Sequence, residues 1–280
     1  MLTRCALFCA LLTSPLSLDA ELAQASPADA EPMPASGQPA DAVPEPARAT
    51  LDRARAPTHR AAAAGWEPAP FQARYRARYD GVPFSAKGRR LLLRGEDGEL
   101  RFFSDLRAMF LQVTEEAHMQ LDGDGALRPV RYEYRQRGIG GRRDRYLDFD
   151  WPAGEVRRSG DKSRVEPLGE GYLDPVSWQL ALRRDVSSGT LATGDVVEYP
   201  ITDGGEAKTY AIKLRGPEAL ELPVGRLETV KLERIFGPGD ARETRIWLAP
   251  EYDYMLVRLE AVDDSGRMLR LELLEPPEPA

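Results

Sequence analysis

Asp148 and Asp150 stand two residues apart in a segment, Arg145 to Trp151, whose alternation reads as a strand. Side chains at i and i+2 share a face, about 6 to 7 Å apart by strand rise. That separation overlaps the lower end of the spacing at which an inverting glycosidase holds a water. The competing account is simpler: Leu147, Phe149 and Trp151 form the buried face, the two aspartates the solvated one, and nothing nearby in sequence would raise one carboxyl's pKa. Ser159-Gly-Asp-Lys162 matches the Ser-x-x-Lys pair of penicillin-recognising enzymes. That pair must lie on the first turn of a helix, whereas Gly160-Asp161 reads as a hairpin turn. Asp122-Gly-Asp124 followed by Glu133 imitates the ends of a calcium loop. Ala126 and Leu127 stand where an oxygen ligand and a glycine are required, so it reads as a turn. His118, beside Glu116, is the one histidine beyond His59; alone it builds neither a three-ligand zinc site nor a catalytic triad, and it reads as solvated surface. No catalytic residue, metal site or cofactor is therefore expected.

Two groups suit binding better than catalysis. Between Arg128 and Arg164 there are 11 basic and 6 acidic residues, interleaved with aromatics. Arg131, Arg135, Arg142 and Arg143 are the candidates there for contact with an anionic headgroup or a glycan phosphate. Val176, Trp178 and Leu182 lie on the apolar face of an amphipathic segment and are the candidates for an apolar ligand. A nucleic-acid partner is not expected, because 38 Lys+Arg against 45 Asp+Glu give a formal charge of −7.

Strands must position these residues. Phe71, Ala73, Tyr75, Ala77 and Tyr79 alternate with polar side chains, the period of two that a half-buried strand requires. The same grammar recurs about a dozen times, with Met109 to Leu121 as one strand and Val130, Tyr132 and Tyr134 on one face of the next. Turns such as Asp80-Gly81, Gly95-Glu-Asp-Gly98, Asp203-Gly-Gly205 and Asp263-Asp-Ser-Gly266 separate the strands. The fold class is all-β, a single antiparallel meander. So many strands must curl to protect their edges, which predicts a barrel or half-barrel. One amphipathic helix interrupts it at 174–187, with Asp174 as N-cap, Pro175 at the first helical position and Ser187-Ser188-Gly189 as its end. It is expected to pack Trp178 on the concave side of the sheet.

Residues 1–25 read as a signal peptide: Arg4, an apolar run from Cys5 to Leu18, then Ala23-Gln-Ala25 as the cleavage site. The run is too short to span a membrane, and Phe8 before Cys9 does not suit lipidation. Residues 26–65 are rich in Ala and Pro and read as a disordered tether, residues 66–275 as one β domain, and 276–280 as a flexible tail. The expected location is periplasmic.

Several blocks carry a resemblance: Phe71-Gln-Ala-Arg-Tyr75, Phe149-Asp-Trp151, Leu173-Asp-Pro-Val-Ser-Trp-Gln-Leu-Ala-Leu182, Leu222-Pro-Val-Gly-Arg-Leu-Glu-Thr-Val230 and Trp247-Leu-Ala-Pro-Glu-Tyr-Asp-Tyr-Met-Leu-Val-Arg258. Together they resemble the exported bacterial family known as domain of unknown function 3108, over about residues 70–274. The resemblance implies a mostly β envelope protein, akin in shape to the half-barrel lipoprotein carriers, and assigns no activity. Three readings follow: a noncatalytic binding protein for an apolar or lipid-like ligand, an envelope hydrolase using Asp148 and Asp150, or a protein-protein adaptor.

Overall fold

The computed structural model describes residues 66–280 apart from 124, 139 and 140. The signal peptide, the tether, both cysteines and His59 lie outside the described residues.

Alternating burial produces fourteen strands. The first eight are β1 (Phe71–Tyr79), β2 (Ala86–Arg94), β3 (Leu100–Ala108), β4 (Leu111–Leu121), β5 (Leu127–Gly138), β6 (Arg143–Asp150), β7 (Glu155–Gly160) and β8 (Arg164–Pro167). The helix α1 (Ser177–Ser187) follows, then β9 (Val196–Ile201), β10 (Lys208–Leu222), β11 (Gly225–Ile235), β12 (Glu243–Ala249), β13 (Met255–Val262) and β14 (Met268–Leu273). All pair antiparallel in one sheet, and each strand pairs with its sequence neighbour except across α1. There the order breaks, and β1 pairs with β14 instead, with Tyr75 opposite Leu273. The sheet is thus a ring with one seam, between β8 and β9. The expected antiparallel meander is present; β7 and β8 are the strands that the sequence pattern does not reveal, because Val156 is the one buried side chain in the two and no alternation builds up around it.

Two local departures have physical causes. Met109 and Phe110, read as the start of a strand, form the two-residue turn between β3 and β4, since Ala108 already pairs with Leu111. Val130, read as sharing a face with Tyr132, is exposed while Tyr132 is buried: the β4–β5 register shifts between His118 and Met119, so that Arg131 and Pro129 face successive partners and Val130 is squeezed out as a bulge. Residues 276–280, read as a loose tail, are tied back at Glu278, which exchanges both backbone hydrogen bonds with Gln72 at 2.7 and 2.9 Å.

The helix starts at Ser177, two residues after the Pro175 start that the sequence suggests, yet Asp174 performs the capping. Its Oδ1 accepts the backbone N–H groups of Val176 (2.8 Å) and Ser177 (2.9 Å), and Ser177 Oγ accepts the N–H of Asp174 in return. Gly189, in the left-handed region at φ +66°, ends it as read.

Leu180, Ala181 and Leu182 are buried together with Arg183 and Arg184, so α1 has no solvated face over these positions. Such burial is tolerable because each polar side chain reaches a different part of the wall. Arg90 on β2 donates to Gln179 at 3.0 Å, and Arg184 donates to the Gly125 carbonyl at 3.1 Å. Tyr199 on β9 donates to Asp185 at 2.8 Å. At the seam, Leu173 bridges to Ile201, and Asp203 accepts from Arg145 on β6 at 3.0 Å. Gly204 lies so close to β6 and β7 that a Cβ would meet Arg158 and Leu147 at 2.6 and 2.7 Å. No described helix is long and apolar enough to cross a membrane.

Candidate functional site

A cleft opens between α1 and strands β1, β2, β3, β12 and β13. Its walls are largely apolar, including Phe71, Phe102, Trp178, Leu182, Ile246 and Met255. Trp178 and Leu182, two of the three residues expected to bind an apolar ligand, therefore line a common cleft. The third, Val176, is buried but does not line it. The cavity measures about 30 Å³, room for a water molecule and far less than an alkyl chain needs.

Three polar side chains interrupt this apolar wall, and the sequence reading missed all of them. Arg90 is 6% exposed, and its guanidinium lies 5.3 Å from the Tyr75 ring and 6.0 Å from the Phe102 ring. No carboxylate comes within ion-pair distance of it among the described residues. Burial lowers its pKa, opposed by Tyr75 and by Glu115. Gln179 is its hydrogen-bond acceptor. Arg183 donates from Nε and Nη2 to the backbone oxygen and the carboxylate of Asp253, both at 2.6 Å, while its buried Nη1 has no partner. Asp253 and Tyr254 both take left-handed φ values, 52° and 56°, on the turn into β13, a conformation non-glycine residues adopt only where surroundings hold them. Tyr254 is itself part of the cleft wall. A signal for Arg90 was present: it shares parity with Ala86 and Leu92, both fully buried on the concave face of β2.

The other candidates stay apart from this cleft. Asp148 is exposed on the outer face of β6. Asp150 accepts the Ala153 N–H at 3.1 Å and Arg157 Nη1 at 2.9 Å, contacts that hold its carboxyl below the usual range. A general acid needs the opposite shift. Arg131 and Arg135 both bind Glu133 on their own strand, and Arg142 binds Asp144 at 2.9 Å, so three of the four arginines read as anion contacts already have a carboxylate. Arg143 is exposed at the start of β6. Ser159 and Lys162 flank the β7–β8 turn, not a helix. Asp122 closes a turn by accepting the Ala126 N–H at 2.8 Å. His118 is half-buried between Glu99 (3.2 Å) and Glu116 (3.1 Å), a more engaged position than solvated surface. Among the described residues no group of three His, Cys, Asp or Glu is placed to hold a metal ion.

One antiparallel meander, rolled into an open ring around a single buried helix, places the chain among barrel-like β proteins. The chain belongs to the family described as protein of unknown function (DUF3108), whose family model matches residues 94–273. Among solved structures it is similar to the beta-barrel-like protein of domain of unknown function DUF1849 from Brucella abortus, with a TM-score of 0.51 and 10% identity over 76% of this chain and 99% of that one. A second match, MucB in complex with MucA(peri), has a TM-score of 0.30 and 13% identity over 76% of this chain and 51% of that one, too low to carry an argument. No curated protein matches the chain. At these identities the likeness concerns the fold alone.

Proposed function

We propose that the protein is a noncatalytic binding protein of the cell envelope whose ligand is an apolar chain with an acidic head, held at the cleft beside α1. The observation that carries this reading is Arg90: a guanidinium desolvated in an apolar cleft, set over two aromatic rings and without an ion-pair partner among the described residues. A buried cation in that state is costly, and a ligand carboxylate or phosphate would offset the cost. The partnerless Nη1 of Arg183 supplies a second donor in the same wall. Ligand sites are generally of this composition, mostly apolar with a few convergent polar groups. The cavity holds only about 30 Å³, so the cleft as it stands admits the head and the first atoms of such a chain, and the rest requires the wall to open.

Titration with a fluorescent fatty-acyl probe and with its methyl ester tests the reading. The acid is expected to bind the wild type, and Arg90→Gln to weaken it about tenfold, or 1.4 kcal/mol. The ester is expected to bind both proteins alike. A wild-type protein that binds neither probe would overturn the proposal. Export belongs to the same proposal: intact-mass measurement of protein recovered from the envelope is expected to show a chain beginning at Ser26, and a mass retaining residues 1–25 would count against it.

A further inference from the structure

We propose that the sheet end bearing the β3–β4 turn docks on an anionic phospholipid surface, through a site separate from the cleft. Met109 and Phe110 are 67% and 61% exposed, more than any other large apolar side chain described. They are adjacent and at the very tip of a hairpin. Turn chemistry does not explain them, since tight two-residue hairpins favour glycine or asparagine in the left-handed region, and neither residue has a positive φ. Gly138, at φ +94°, lies against the tip so closely that a Cβ would fall 1.9 Å from the Phe110 carbonyl oxygen. The end of β5 is thus fitted to the turn.

Behind the tip runs a rung of cations on the outer face. Lys87 is directly opposite Arg107, Arg107 opposite Gln112, and Gln112 opposite Arg137. Like charges directly opposite one another destabilise a sheet, and here only Arg107 has a carboxylate to offset that repulsion. Asp105 neutralises Arg107 at 2.7 Å and Asp144 binds Arg137, while Lys87 has no ion-pair partner among the described residues. Lys87 therefore leaves the rung with an uncompensated positive charge, on a chain whose formal charge is −7.

The distances suit a bilayer. Arg107 precedes Met109 by two residues, about 7 Å along the strand. With the apolar tips at the headgroup–acyl boundary, about 5 to 10 Å deep, the rung sits level with lipid phosphates. A projecting tip with a cationic collar fits a lipid surface, whereas an apolar peptide would need a groove.

Vesicle flotation tests this. The protein is expected to float with vesicles of equal parts phosphatidylglycerol and phosphatidylcholine, and about tenfold less with phosphatidylcholine alone or at high salt. The pair Met109→Ser and Phe110→Ser is expected to reduce flotation about tenfold on both vesicles. Lys87→Gln, which breaks no ion pair, is expected to reduce it only on the anionic ones, with thermal melts of both variants unchanged. The variants share every other residue with the wild type, so unchanged flotation would place any lipid contact elsewhere and overturn the proposal. Wild-type protein that does not float would overturn it equally.

Discussion

Trp178→Ala is expected to cost about 3 to 5 kcal/mol, a large fraction of a domain's usual stability of about 5 to 15 kcal/mol. The indole is 3% exposed, donates its N–H to the Pro175 carbonyl at 2.9 Å, and meets the Tyr210 ring edge-on at 5.6 Å. Tyr210 in turn carries the Arg234 guanidinium 3.4 Å from its centroid. Removing the indole therefore leaves a cavity in the middle of the ring and frees one side of a stack that reaches β11. A thermal melt should fall by about 10 °C for a domain of this size. A fall of under about 2 °C would mean that α1 contributes little to the core.

Asp174→Asn is expected to stabilise the protein at neutral pH by about 1 to 2 kcal/mol and to remove one pH-dependent component of its stability. Burial raises the Asp174 carboxyl from 3.8 to about 6, outweighing the hydrogen bonds from Ser177 and Val176 that favour the anion. Its Oδ2 is buried with no partner. The neighbouring Tyr132 hydroxyl does not relieve it, since it donates to Glu115 at 2.6 Å. Below the unfolded pKa the group is protonated in both states and contributes nothing. Between about 4 and 6 the folded state keeps a proton that the unfolded state has lost. Above 6 both are ionised and the folded state carries the full cost, about 3 kcal/mol by the shift. Stability from this group falls as pH rises through that window. Other carboxylates, such as Asp240, held down to about 2 by Arg242, act in the opposite direction. Subtracting the variant's denaturation curve from the wild type's isolates Asp174. Asparagine retains the Oδ1 acceptor of the cap but puts an amide where Oδ2 is unpaired, which is why the gain falls short of the full shift. A difference curve flat between pH 4 and 7 would contradict the assignment.

Hairpins and the helix were legible because each is specified within about twenty residues. Phe71 to Tyr79 alternates, Asp80-Gly81 turns, and β1 and β2 then pair. The β1–β14 pairing was not legible, since Tyr75 and Leu273 are matched only by a ring whose size no local pattern specifies. Val130 was misplaced because a bulge reverses parity without a strong sequence mark. For the cleft, the apolar half was visible in Trp178 and Leu182. Arg90 was hidden by the ordinary expectation that arginine faces water. Its parity with Leu92 contradicted that expectation. Asp174 was readable as a cap, but its raised pKa comes from burial under elements remote in sequence.

Because β1 finds one neighbour in β2 and the other in β14, strands separated by most of the described chain must meet before the ring is complete. A ribosome delivers β14 last, so until then β1 presents an open backbone edge. The helix emerges midway, before the strands that cover its Trp178 and Arg183 side. Non-local pairing of this kind slows folding, because loop-closure entropy is lost before the contacts that compensate it form. The half-made ring is the species in which exposed strand edges invite association with other chains, so the interval before β14 pairs is when the molecule most depends on assistance.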